Sequence, residues 1–156
     1  MKKLVYLFIL SIMLSCSASK NVRTSKKVIK GSWVLNSVEY NTQNTLSVNL
    51  LNDASARCFE GSIWQFIPNN NTGTYSIQNT DCGVSTRNFI FTIQEVNKEN
   101  GWTDFLIKPT NRKGKSETNK GFRLELVSQS ETNMQWQQTV IVNNKPFPIR
   151  MNFIKQ

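Results

Sequence analysis

Apolar and polar positions alternate with period two over much of the chain. In residues 146–154, Phe147, Ile149, Met151 and Phe153 alternate with Pro148, Arg150 and Asn152. In 121–128, Phe122, Leu124 and Leu126 alternate with Arg123 and Glu125. In 133–142, Met134, Trp136, Val140 and Val142 share a face with Gln138, opposite Gln135, Gln137 and Thr139. In 87–95, Phe89, Phe91 and Ile93 alternate with Thr92 and Gln94. Such alternation puts the two sets on opposite faces of a sheet. Shorter runs of the same kind lie at 102–108 (Phe105, Ile107), 62–67 (Trp64, Phe66) and 73–78 (Tyr75, Ile77), after an opening strand at 31–40. No long stretch has helical periodicity. Hairpin-like connections occur at Asn69-Asn70-Asn71, at 98–101 and at Asn143-Asn144. The pattern predicts an all-β domain over residues 31–156: an eight-stranded antiparallel up-and-down barrel, which removes its edges by closing. A barrel of that size is filled by its own side chains or holds one small ligand.

The start of the chain breaks this rhythm. Lys2 and Lys3 precede an apolar run over 4–14, interrupted only by Ser11. As a helix the run would span roughly 16 Å, about half the apolar thickness of a bilayer, so it reads as a secretory signal over 1–15 and not as a permanent span. Met13-Leu14-Ser15-Cys16 resembles the lipobox of bacterial lipoproteins. That resemblance implies a diacylglycerol on the Cys16 thiol, a cut before it, and membrane attachment through the acyl chains. Residues 17–20, Ser-Ala-Ser-Lys, hold no acid. The expected location is therefore the outer membrane, facing the periplasm.

The net charge is +9, and Lys2 and Lys3 would leave with the signal. Of the remaining basic residues, Lys20, Arg23, Lys26, Lys27 and Lys30 fall in 16–30, which reads as a lipidated Cys followed by a basic tether. Arg112, Lys113, Lys115 and Lys120 fall in one loop, 111–120. The rest of the domain is close to neutral, so the charge is not the footprint of a nucleic-acid-binding face. A flexible tether of this length would reach roughly 20 Å and suits an anionic lipid surface. The basic loop reads as a solvated hairpin tip, or as a contact for head groups or an acidic partner.

Of three Cys, Cys16 is consumed by lipid, which leaves Cys58 and Cys82. In an oxidising compartment two remaining thiols read as a disulfide. If Phe66 opposes Tyr75 and Trp64 opposes Ile77, the same register carried outward sets Cys58 against Gly83, one residue from Cys82. The closed loop of roughly 25 residues predicts about 3–4 kcal/mol of stabilisation in the chain-entropy model. The connection at 41–60 is long for such a domain. It carries Leu46, Val48, Leu50 and Leu51 and predicts either a plug packed into one barrel end, the favoured reading, or a lid over it.

Gly31-Ser32-Trp33, at the head of the first strand, resembles the Gly-x-Trp signature of lipocalins. The block Cys58-Phe59-Glu60-Gly61-Ser62, with Trp64, Phe66, Asn70-Asn71, Gly73, Tyr75 and Cys82, then Gly121-Phe122 and the closing 149–154 strand, resembles bacterial lipocalin-like lipoproteins. The resemblance spans nearly all of 31–156. It implies a barrel with Trp33 packed near a closed end and a cavity at the other. A lipocalin's basic residue over that Trp has its nearest counterpart in Arg150, which alternation points outward.

The chain has no His. That removes Ser-His-Asp and Cys-His catalysis, His-based metal sites and the commonest general base. No metal or cofactor site is expected, since the thiols are paired and Gly73 and Gly83 read as turn residues, not a phosphate cradle. The sequence argues against an enzyme. The inward aromatics are core or pocket lining, and Gln138 stands out because a buried polar group needs a neighbour, a water or a ligand. The candidate ligand-binding residues are Trp64, Tyr75, Phe91, Phe105, Trp136 and Gln138. Two functions follow: a carrier or sensor of a small hydrophobic ligand held beside the membrane, or a cell-envelope interaction module with a filled barrel, acting through a protein partner at a rim loop.

Overall fold

A computed structural model of the chain describes residues 18–40, 48–97 and 102–156. The signal segment, Cys16, Leu46 and the 98–101 turn lie outside the described residues. The alternating segments become strands β1 (Gly31–Glu39), β4 (Ile63–Ile67), β5 (Thr72–Ile77), β6 (Ser85–Asn97), β7 (Trp102–Thr110), β8 (Phe122–Gln129), β9 (Asn133–Val142) and β10 (Lys145–Lys155). They form one closed antiparallel barrel in which neighbours in sequence are neighbours in space. β1 seals it by pairing with β10 on one side and β4 on the other. Two small elements precede β4: a hairpin of β2 (Asn49–Leu50) and β3 (Ala54–Ser55), and a single turn of helix, α2 (Ala56–Phe59).

Turn chemistry sets the hairpins. Asn143 and Asn144 adopt φ of +50° and +60° and join β9 to β10 in a two-residue turn, with Val142 opposite Lys145. Asn tolerates this left-handed conformation better than most residues. Between β4 and β5 the register differs from the sequence expectation by two residues: Trp64 faces Tyr75, and Phe66 faces Gly73. The expected pairing would have carried Pro68 into the ladder, where it has no N–H to donate. Pairing instead stops at Ile67 and Thr72.

Gly73 is therefore a strand residue facing the core and not a turn residue. A Cβ there would sit 2.5 Å from the Gln65 carbonyl oxygen and collide with the Phe89 ring. The missing side chain is the space that ring occupies.

One end of the barrel is closed by α1 (Lys20–Ile29), where the sequence suggested a solvated spacer. Val22, Ser25 and Ile29 recur along one face and are buried, with Ile29 fully enclosed. Ser19 caps the helix, its Oγ accepting from the Val22 N–H at 3.3 Å. Propensity does not explain this helix, since Val, Ile, Thr, Ser and Asn are indifferent helix formers. Docking does: isolated helices this short are marginal, and tertiary packing supplies the balance. The Trp33 indole N–H donates to the Ile29 carbonyl at 2.8 Å, and Lys155 Nζ donates to the Val28 carbonyl at 3.0 Å. Lys155 also lies over the Trp33 ring, 5.3 Å from its centroid. It takes the covering role considered for Arg150, which is exposed and bonds to Gln137.

Candidate functional site

The opposite end, the mouth, is where the 41–60 connection turns inward. Over its described part, Leu50, Leu51, Ala56 and Phe59 are all buried, which is the plug the sequence favoured. Leu51 and Asn52 form the tip of the β2–β3 hairpin with φ of +53° each. That conformation is unfavourable for Leu, and it aims the side chain into the barrel. Phe59 packs on Tyr75, ring centroids 5.3 Å apart. The Cys58–Cys82 disulfide, Cα–Cα 5.8 Å, ties α2 to the short 3₁₀ turn Thr80–Cys82. The expected pairing is present, but both cysteines stand outside the ladder. The bond joins a plug to a rim and does not extend the β4–β5 register.

Beneath the plug the barrel is filled. Trp64 stacks on Tyr75 at 4.8 Å and meets Phe153 edge-on at 5.5 Å. Its indole N–H donates to Ser62 Oγ at 2.9 Å. Trp136 packs on Phe105 at 4.9 Å and on Phe153 at 5.0 Å, and Phe91 joins the same group through Phe66 and Phe105. Offset and edge-to-face rings at these separations are the favoured aromatic geometry. Trp64, Phe91, Phe105 and Trp136, all sequence candidates, are thus brought together as one buried cluster. Gln138 does face inward, and its Oε1 is buried without a hydrogen-bond partner among the described residues, as is Trp136 Nε1 on the same face. Above them Tyr40, Phe122, Val140 and Phe147 are only partly buried, with Tyr40 and Phe147 6.1 Å apart.

Tyr75 alone of the six candidates reaches both the cluster and the mouth cleft. Its hydroxyl donates to Asp53 Oδ2 at 2.8 Å. Asp53 also accepts from Arg87, with Nη2 3.2 Å from Oδ1 and Nε 3.2 Å from Oδ2. Burial holds the Tyr75 phenol far above its ordinary pKa, and the hydrogen bond and the charge of Asp53 push it the same way, against a smaller opposing pull from Arg87. Tyr75 is therefore a neutral donor at any physiological pH. These groups border an open cleft of about 380 Å³, whose walls include Leu51, Asp53, Tyr75, Arg87, Lys120 and Phe122. Asp53 and Arg87 carried no sequence signal as a pair. They are 34 residues apart, and only the inward turn of the β2–β3 hairpin brings them together.

The chain matches no protein-family model. No curated protein matches it either. Among solved structures it is similar to a lipocalin-like protein from Bacteroides uniformis, with a TM-score of 0.48 and 10% identity over 82% of this chain and 98% of that one.

Proposed function

We propose that this chain is an envelope lipoprotein, anchored through Cys16 and facing the periplasm, that receives a small amphipathic molecule in the mouth of its barrel. The observation that carries the reading is the contrast between the two halves of the interior. The deep half is occupied by stacked rings, whereas the mouth keeps a cleft of about 380 Å³. Leu51 and Phe122 offer an apolar wall, and Arg87, Lys120 and Asp53 offer polar contacts to a head group. Small-molecule sites combine these features: concave, largely apolar, with a few placed polar groups. The ring-filled core supports the second reading, an interaction module that binds a protein partner at its rim and holds no ligand.

Native mass spectrometry of the mature chain, purified from its own host's envelope, separates the two. A reproducible adduct of small-molecule mass that is lost in Arg87→Gln with Lys120→Gln is the expected result. Loss of the adduct in Gln138→Leu instead would mean that the molecule reaches the unpaired atoms of Gln138 and Trp136. A clean mass, unchanged by added fatty acids or other lipids, would reject the ligand and leave the interaction module. Cys16→Ser is expected to release the protein from membranes after a high-salt wash, and retention would reject the anchor.

A further inference from the structure

The basic residues that looked like a tether are held in one plane by a folded element. Lys20, Arg23, Thr24 and Lys27 are exposed and follow the i, i+3, i+4, i+7 spacing of one helix face, opposite buried Val22, Ser25 and Ile29. Lys30 follows at the C-cap, also exposed, and α1 contains no acid. The helix is pinned across the closed end at several points. Asn21 donates to Glu95 at 2.6 Å, Lys26 to Asn71 at 2.8 Å, and Lys155 and Trp33 donate to its last carbonyls. The charges therefore stand on a surface about 15 Å long that cannot fold away from the barrel.

We infer that the outer face of α1 docks the closed end of the barrel on an anionic phospholipid bilayer, so that the mouth points away from the membrane. The acidic residues described at this end, Glu95 and Glu131, keep their charge but are outnumbered by Lys20, Arg23, Lys26, Lys27 and Lys30, so the face stays positive. The outer face has no large apolar residue, so the contact is electrostatic and superficial, not an insertion. A nucleic acid fits less well, because the basic stripe is one short helix long on an otherwise near-neutral body. The inference rests on the proposed lipoprotein reading only for its directional support. A lipid on Cys16 would enter the bilayer three residues before Ser19 caps α1, at the same end of the barrel.

The test uses the mature chain carrying Cys16→Ser, which reports docking without the acyl anchor. Sedimentation with phosphatidylcholine vesicles, with and without phosphatidylglycerol, is expected to show binding only to the anionic ones, weakening as salt shortens the screening length. The triple variant Lys20→Gln, Arg23→Gln, Lys27→Gln changes exposed side chains only. At about 1 kcal/mol per charge near the surface, it should lose on the order of a hundredfold in partitioning with an unchanged circular dichroism spectrum. Arg112→Gln, Lys113→Gln, Lys115→Gln at the mouth should retain binding. Equal binding to neutral vesicles, no binding, or loss through the mouth variant instead of the α1 variant would each overturn the inference. The anchor is judged separately, by release of Cys16→Ser from high-salt-washed cell membranes, so the two can fail independently.

Discussion

At the residue scale, the packing of this barrel turns on a side chain that is absent. Phe89 occupies the space over Gly73, and a methyl group there would also press on the Gln65 carbonyl at 2.5 Å. Gly73→Ala should destabilise the fold by about 1–3 kcal/mol, the ordinary penalty for overpacking, seen as a lower urea midpoint with an unchanged slope. An unchanged midpoint would mean that the ring has room to move. Alternation alone marked Gln138 as an inward polar residue, and its Oε1 is indeed buried and unpaired among the described residues. It could not mark the indole N–H of Trp136, because whether an inward Trp finds an acceptor depends on its neighbours across the barrel. Trp64 finds one in Ser62, while Trp136 finds none among the described residues.

At the scale of elements, the short pieces behave differently from the long strands. The β2–β3 hairpin and α2 are stabilised by what they cover: Leu50, Leu51 and Phe59 pack down, and the disulfide fastens α2 to the rim. Replacing Cys58 and Cys82 by Ser should cost about 3 kcal/mol, given a sequence separation of 24 and the chain-entropy dependence on loop length. The loss should be local as well as global. In hydrogen exchange, amides such as Ala56, which donates to Val48 at 2.7 Å, should open sooner than those of β9 and β10. Uniform acceleration across the barrel would show that the bond does not hold the plug specifically. The α1 helix makes the same point from the other end of the barrel. Its basic residues suggested a solvated spacer, and only the closed end it covers makes Val22 and Ile29 a core face.

At the scale of the whole molecule, the question is whether the barrel is hollow or filled. Trp33, Trp64 and Trp136 have no exposed surface. In a Trp102→Phe background their emission should be blue-shifted and nearly insensitive to acrylamide. A ligand confined to the mouth should leave it so. A ligand that penetrates the barrel must displace rings around Trp136 and would change both the emission and its quenching. That outcome would move the site from the mouth to the interior.

What alternation determines is local and repeated. Period two, with turns at regular intervals, is enough for eight strands, their order around the barrel and which face of each points inward. Each of those features follows from the neighbouring few residues and from the need to leave no open edge. The pairing of Cys58 with Cys82, present in the fold, is legible only through the expectation of an exported chain whose Cys16 is taken by lipid, which leaves two thiols. The β4–β5 register also had a local cause, Pro68, which alternation does not weigh. The role of Gly73, the docking of α1, the cover of Lys155 over Trp33 and the Asp53–Tyr75–Arg87 network were decided by tertiary structure. They depend on volumes and partners contributed by segments far apart in the chain: a ring that needs space, a carbonyl end that needs a donor, a hairpin that turns inward. No window along the sequence contains both halves of such a contact, and only closure of the barrel brings them together.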